Sequence, residues 1–134
     1  LHAEILLRRL KHLDGWNARR RALAARYDAG LAATGLTLPV EAPGNRHVYY
    51  VYVVGHAERS RLMAELARND IVVNISYPYP IHTMRGYAHL GGRPGDLPVT
   101  EALSQQMLSL PMYPGLTDAQ QDQVIDVLRA ALMH

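Results

Sequence analysis

The sequence has no cysteine, a single tryptophan, a single lysine and no long hydrophobic run. Without cysteine the chain forms no disulfide and offers no thiolate to a metal or a substrate, which fits a reducing cytoplasm. A membrane span needs about 18 consecutive apolar residues. Because neither such a run nor a charged-then-apolar leader occurs, the sequence predicts a cytoplasmic protein without a membrane partner.

Signatures of self-sufficient catalysis are also missing. The seven histidines include no i, i+4 pair and no HExxH motif, so the sequence predicts no metal site. No G-x-S-x-G elbow occurs, and the carboxylates are scattered over predicted helix faces. Lys11 lies beside Arg8 and Arg9, and such cationic neighbours activate a Schiff-base lysine, but an exposed position on a solvated helix is the simpler interpretation. We expect no catalytic residue in this chain.

The length and the charge of the chain limit its domain organisation and its partners. A chain of 134 residues with 49% hydrophobic side chains fits one domain over residues 1–134. The net charge is +2, but basic side chains outnumber acidic ones only in residues 1–33. Arginines such as Arg19 and Arg20 would suit nucleic acid, yet a solvated helix face explains them and the acidic remainder would oppose such binding. We therefore expect no nucleic-acid partner.

Helical patterns are strongest at the two ends of the chain. In residues 1–33 apolar side chains recur at steps of three, four or seven, which predicts one long amphipathic helix bent near Asp14-Gly15. Its start lacks a capping side chain, so we expect the chain to be the tail of a longer protein. Thr117 and Gln120 form the capping box of a predicted last helix. The apolar stripe of that helix comprises Val124, Ile125, Leu128, Ala131 and Leu132.

The middle of the chain favours two strands with a helix between them. Residues 47–54 are β-branched or aromatic on both faces, which predicts a central strand covered on both sides. A short helix over 62–67 precedes a second strand over 71–75. Together with the helical ends, this order predicts an α+β fold, in which a long N-terminal helix adjoins a small, mainly antiparallel sheet covered by helices.

Two further stretches have weaker patterns. Residues 83–90 are weakly helical, and the glycine-rich residues 91–95 break that pattern. Asp96 is placed to cap a following helix that has Pro98 in its first turn. The inward-facing side chains predicted for that helix are Ala102, Leu103 and Met107.

The segment 74–82 reads NISYPYPIH and carries the densest group of polar and aromatic side chains. Pro78 and Pro80 lack amide donors and fix φ, so the chain is held extended and irregular there. Side chains on such a frame meet a ligand at little entropic cost. A proline-rich loop whose tyrosines only cover the core explains the same pattern. The candidate binding residues are Asn74, Ser76, Tyr77 and His82.

Several phrases of the sequence, in this order, resemble one enzyme family. They are KHLDGWNARRRALAARYDAGL (11–31), HVYYVYVV (47–54), YPYPIH (77–82), GDLPVTEALS (95–104) and LSLPMYPGLT (108–117). Together they cover nearly the whole chain and resemble the C-terminal part of the DegT/DnrJ/EryC1/StrS aminotransferases.

This resemblance implies a pyridoxal-phosphate enzyme of fold type I. Members work as homodimers that move an amino group, usually from glutamate, to a nucleotide-linked keto-sugar in amino-sugar biosynthesis. Their large N-terminal domain carries the Schiff-base lysine and most cofactor contacts, and Lys11 does not match that lysine. The resemblance therefore implies that residues 1–134 are the small C-terminal domain, with 1–33 as the connecting helix. The large domain would be absent from this chain, which would be inactive alone.

The resemblance also implies that this domain lines the sugar side of the cleft. The matching positions are Tyr77, Pro78, Pro80 and His82 in the proline-rich segment, and His47 and Tyr49 in the strand phrase. Many sugar-converting members have histidine where Ser76 and Tyr50 stand, which leaves a cyclitol acceptor as an alternative to a sugar. His82 would contact the sugar or tie its loop to backbone carbonyls. A non-catalytic binding or interaction domain derived from this fold is a further alternative.

Overall fold

The N-terminal third of the chain forms two helices where the sequence predicts one. In the computed structural model, which describes residues 1–133, α1 covers His2–Leu10 and α2 covers Leu13–Leu31. No side chain of α1 is buried, whereas α2 is buried from Leu23 onward. Only the second half of this segment is therefore held by the core.

The break between the two helices falls at Lys11-His12. The bend predicted near Asp14-Gly15 is wrong, because Gly15 lies inside α2. A glycine costs a helix only about 1 kcal/mol relative to alanine. The buried packing of the second half of α2 outweighs that cost, whereas no buried side chain fixes the direction of α1.

The remaining helices are α3 (Arg59–Arg68), α4 (Pro98–Gln106) and α5 (Asp118–Leu132), with two 3-10 helices at Ile81–Thr83 and Arg85–Leu90. α3 begins three residues before the predicted helix, and the stretch predicted as weakly helical forms the longer 3-10 helix. Of the helices described, none combines the length and the apolar character needed to cross a membrane.

Two short strands form the sheet. β1 (Tyr52–Gly55) pairs antiparallel with β2 (Met107–Leu110), in a register that places Tyr52 opposite Leu110. Single antiparallel bridges extend the pair on both sides, from Thr37 to Gly55 and from Asn74 to Ser109. The predicted antiparallel sheet is therefore confirmed, but it is smaller than the sequence suggests.

Local backbone geometry explains why both predicted strands are shorter. The strand predicted over 47–54 begins only at Tyr52, because Tyr49 has a left-handed φ of 48° that interrupts the extended path. The strand predicted over 71–75 is reduced to the bridge at Asn74. The amide of Ile71 donates to the carbonyl of Leu66 at the end of α3, so it is not used in a ladder.

The core is centred on two tyrosines that join α2 to β1. The rings of Tyr27 and Tyr52 are fully buried, with centroids 4.9 Å apart. The hydroxyl of Tyr27 donates to the carbonyl of Pro111 (3.0 Å), and that of Tyr52 donates to the carboxylate of Asp28 (2.5 Å). Burial is the main cause that raises the pKa of each phenol above its usual value. Both phenols therefore stay protonated donors in the fold.

The last helix packs against α2 and α3 as its apolar stripe predicts. Its capping box is confirmed, since the Thr117 hydroxyl accepts from the Gln120 amide while the Gln120 side chain accepts from the amide of Thr117. On the outer side, Arg19 pairs with Asp118 at 2.8 Å and Arg26 pairs with Asp122. These ion pairs lie at the surface, where each contributes little.

Two predictions for α4 are wrong. Asp96 does not cap this helix, because its carboxylate accepts from the amide of Arg93 and the N-cap position is Leu97, which makes no side-chain cap bond. Ala102 and Leu103 are exposed and Met107 has left the helix to begin β2, whereas Ser104 is the buried side chain of the helix. Pro98 does occupy the first turn.

Candidate functional site

The proline-rich segment is anchored at its N-terminal end by β2. The amide of Ser109 donates to the carbonyl of Asn74 (2.7 Å), and the amide of Asn74 donates back to Ser109 (3.3 Å). The hydroxyl oxygens of Ser76 and Ser109 are 2.8 Å apart. The backbone amide and carbonyl of Ser109 point away from β1, so both are available to pair with Asn74. Asn74 and Ser76 therefore both form hydrogen bonds with the same residue of β2, Ser109.

The middle of the segment is an exposed tip. Tyr77 is 74% exposed and Tyr79 is 69% exposed, and prolines follow both. Since neither proline has an amide donor, the tip cannot extend the sheet. Exposed phenols on a stiff backbone offer both a ring face and a hydroxyl to a ligand.

A second anchor holds the C-terminal end of the segment. The amide and hydroxyl of Thr83 both donate to the carbonyl of Pro80 (3.1 and 2.9 Å), which closes the first 3-10 turn. Nε2 of His82 lies 2.9 Å from Oε1 of Glu101 on α4. The His82 side chain is only 13% exposed. Nε2 of this ring therefore contacts a carboxylate, whereas one interpretation of the sequence was that His82 ties its loop to backbone carbonyls.

His47 and Tyr49 lie in a different hydrogen-bonded group. The amide of His47 donates to Glu41 (2.9 Å), and its carbonyl accepts from Arg21 (2.7 Å). Nδ1 of His47 accepts from the amide of Tyr49 (2.9 Å). Tyr49 is buried, while Tyr50 beside it is exposed. The left-handed turn at Tyr49 therefore places neighbouring tyrosines in opposite environments.

The charges in this second group fix its protonation. Arg21 pairs with Glu41 at 2.9 Å. The hydrogen bond from Arg21 is the main cause that lowers the pKa of the Glu41 carboxyl, and the bond from the His47 amide acts in the same direction. The same contact raises the pKa of Arg21. The pair is therefore ionised near neutral pH and ties the loop before β1 to α2.

Three residues that contact the candidate site residues were missed by sequence reasoning, namely Glu41, Glu101 and Ser109. Glu101 stands in the first turn of a helix that lacks a side-chain cap, a position that favours an acidic residue. That signal was present in the sequence. Glu41 and Ser109 carry no comparable local signal, because their partners lie elsewhere in the chain.

The surface has two hollows that bear on ligand or cofactor binding. One, of about 420 Å³, is beside His82 and is lined by Ile81, Tyr87, Leu90, Leu97 and others. The other, of about 760 Å³, lies along α1 and the start of α2 and is mainly apolar. Lys11 is exposed and does not line the second hollow. Residues 1–133 therefore do not form a lysine site that fits an aldehyde cofactor, and among them no three acidic or histidine side chains gather as a metal site requires.

An antiparallel strand pair packed with α2, α3 and α5 defines the small α+β domain found at the C-terminal end of aminotransferase structures. The chain belongs to the DegT/DnrJ/EryC1/StrS aminotransferase family, whose profile matches residues 1–129.

Individual relatives support the assignment. The chain is 51% identical to a dTDP-3-amino-3,4,6-trideoxy-alpha-D-glucose transaminase of Micromonospora megalomicea subsp. nigra, over 98% of this chain and 37% of that protein. It is 41% identical to a Streptomyces venezuelae transaminase of the same name, over 96% and 34%. The crystal structure of S. venezuelae DesV in complex with a ketimine intermediate superposes with a TM-score of 0.94, at 40% identity, over 97% of this chain and 35% of that one. The chain thus spans about a third of the length of these relatives.

Proposed function

We propose that residues 1–134 are the small C-terminal domain of a pyridoxal-phosphate-dependent aminotransferase that moves an amino group from glutamate to a nucleotide-linked keto-sugar. The observation that carries this proposal is the 51% identity to a dTDP-amino-sugar transaminase, which extends over almost the whole chain. A second relative of the same name, from another genus, has 41% identity. The shared name favours a dTDP-linked deoxy-sugar as the acceptor.

We propose that the cofactor is bound mainly by a large domain outside this chain. When bound, pyridoxal phosphate supplies the electron sink for amino transfer. Residues 1–133 contain no lysine site for it, since Lys11 is exposed on the segment between α1 and α2. We propose that a large domain carries that lysine, that residues 1–33 connect the two domains, and that this chain alone is inactive.

The role of this chain's own residues is to position the acceptor. The exposed phenols of the tip, Tyr77 above all, are suited to donate to sugar hydroxyls or to a diphosphate. His82 lies directly beyond the tip, and its ring is held by Glu101. Asn74 and Ser76 hold the tip against β2, so their contribution is to fix its position. A pocket that hydrogen-bonds acceptor hydroxyls rejects analogues that lack them.

His47 completes the proposed substrate-facing set, and the buried Tyr49 supports it from behind. His47 has an exposed side chain next to the ion pair of Arg21 and Glu41, and Tyr49 orients it through its amide. We also propose a homodimeric enzyme of the cytoplasm, a location that suits a sequence without cysteine.

A product assay tests the proposal. The full-length natural protein that contains this segment is incubated with pyridoxal phosphate, glutamate and a dTDP-linked 3-keto deoxy-sugar, and the products are identified by mass spectrometry. Formation of the dTDP-linked amino-sugar is expected. Product only from a keto-cyclitol would move the assignment to that acceptor class. Binding of the dTDP-sugar without any amino transfer would overturn the proposal in favour of a non-catalytic binding domain.

A further inference from the structure

Glu101 collects more polar contacts than any neighbouring side chain in α4. Its Oε1 lies 2.9 Å from Nε2 of His82 and accepts from the amides of Gly95 (2.8 Å) and Leu97 (3.3 Å). Its Oε2 accepts from the amide of Gly95 (3.0 Å). One carboxylate therefore joins the end of the proline-rich segment, the glycine-rich loop and the start of α4.

The chain is built locally to permit this convergence. Gly95 has a φ of 96°, a left-handed value that glycine adopts without strain. Leu97 is the N-cap of α4 and makes no side-chain cap bond, so the Glu101 carboxylate takes that role for its amide. A negative side chain in the first turn is also favoured by the helix dipole.

The backbone of His82 is also closely packed, against the glycine-rich loop. A Cβ at Gly92 would lie 2.8 Å from the carbonyl oxygen of His82 and 2.9 Å from its Cβ. Only glycine allows the loop to approach His82 this closely. Gly92 therefore packs against the backbone and Cβ of His82, while the part-buried ring contacts the carboxylate of Glu101.

The contact with Glu101 determines which nitrogen of His82 carries hydrogen. The hydrogen bond with His82 is the main cause that lowers the pKa of the Glu101 carboxyl, which is therefore ionised at neutral pH. An ionised carboxylate only accepts hydrogen bonds. Nε2 must then be the donor, and in the neutral ring Nδ1 is left as the acceptor.

We propose that Glu101 is a positioning residue for the acceptor half of the reaction. It fixes the Nε2–H tautomer of His82 and so presents Nδ1 as an acceptor for a hydroxyl of the nucleotide-linked sugar. This inference rests on the proposed function for the identity of the ligand, but not for the state of the ring. Glu101 need not touch the substrate, because it acts through His82.

The first test measures the tautomer of the His82 ring directly. In the full-length protein with ¹⁵N-labelled histidine, the nitrogen shifts of His82, identified by their loss in His82→Gln, report the tautomer at a pH where the ring is neutral. The Nε2–H form is expected in the wild type. In Glu101→Gln, whose amide both donates and accepts, a mixture of tautomers is expected. An Nδ1–H ring in the wild type, or an unchanged Nε2–H ring in Glu101→Gln, would overturn the proposal.

The second test measures how the contact between Glu101 and His82 affects each half-reaction. Glu101→Gln is expected to slow the half-reaction with the keto-sugar by about 10- to 100-fold, as for the loss of a hydrogen bond to a charged group. The half-reaction with glutamate should stay within about twofold of the wild type, which excludes general damage. Glu58→Gln is the matched control, because within residues 1–133 the Glu58 carboxylate pairs only with Arg61 at the start of α3.

A double variant decides whether Glu101 acts through His82. If it does, Glu101→Gln has little further effect in the His82→Ala background. An equal loss in both backgrounds would show that Glu101 acts through the glycine-rich loop and would overturn the proposal. A wild type without amino transfer would instead count against the proposed function, while the tautomer measurement would still decide the role of Glu101.

Discussion

The hydroxyls of Ser76 and Ser109 lie 2.8 Å apart and join the start of the exposed tyrosine tip to β2. Ser109 is buried at the sheet, whereas Tyr77, one residue beyond Ser76, is largely exposed. This contact, together with that of His82 and Glu101, makes the tip a short bridge between two fixed ends. The position of the exposed tyrosines depends on both contacts.

Removal of the hydroxyl contact between Ser76 and Ser109 should loosen the tip without unfolding the domain. Ser109→Ala removes a neutral hydrogen bond worth about 1 kcal/mol, while the two backbone bonds to Asn74 remain. Amide hydrogen exchange of residues 74–80 in the full-length protein is expected to accelerate about fivefold. Ser60→Ala, on the exposed face of α3, is the control and should leave these rates unchanged. Equal rates in both variants would show that the serine contact does not hold the segment.

A methyl group at Gly92 should displace the second anchor. Its Cβ would overlap backbone atoms of His82, which cannot rotate away, and overpacking of this kind costs about 1–3 kcal/mol. We expect Gly92→Ala to lower turnover of the keto-sugar about tenfold or more. Gly86→Ala lies in the neighbouring 3-10 helix with nothing within 4 Å, and should be nearly silent. Similar turnover in the two variants would contradict the described packing.

Loss of the His82 imidazole should separate the two half-reactions. If the ring faces the acceptor sugar, His82→Ala slows amino transfer to the keto-sugar far more than amino uptake from glutamate. Rapid single-turnover absorbance measurements on the full-length enzyme follow each half separately. His89→Ala, an exposed histidine of the longer 3-10 helix, is the control. An equal loss in both halves would argue against contact with the sugar.

Acid should weaken the contact between Arg21 and Glu41. The pKa of Glu41 is lowered in the fold, chiefly by Arg21, so the unfolded chain binds the proton more readily. The resulting stabilisation is fully present above the ordinary glutamate pKa of 4.5 and is lost as pH falls through the lower pKa of the folded state. The difference in thermal stability between wild type and Glu41→Gln is therefore expected to shrink between pH 6 and pH 3. A difference that does not change with pH would contradict an ion pair here.

Local signals in the sequence predicted much of the helical frame. The capping box at Thr117 and Gln120, the apolar stripe of α5 and Pro98 in the first turn of α4 all depend on residues a few positions apart. Such spacing is directly visible in a sequence. The small antiparallel sheet and the family were likewise predicted, the latter from phrases spread over the chain.

The parts that sequence reasoning missed depend on distant partners or single backbone angles. The residues around Asn74 do not indicate that the predicted strand is reduced to a single bridge, because the bridge partner, Ser109, lies far along the chain. The apolar run before Tyr52 looks continuous, and only the left-handed φ of Tyr49 ends it. His82 was recognised as a site residue, but its carboxylate partner was not, since Glu101 was counted among scattered surface acids. The lengths of the strands and the partner of His82 therefore depend on tertiary contacts and backbone angles that local sequence patterns do not indicate.

Amino transfer by the full-length protein loaded with pyridoxal phosphate is followed by its absorbance as glutamate and then a dTDP-linked keto-sugar are added. We expect glutamate to convert the bound pyridoxal form to the pyridoxamine form, and the keto-sugar to restore it. A loaded protein whose spectrum responds to neither addition would contradict the assignment of this chain to a working sugar aminotransferase.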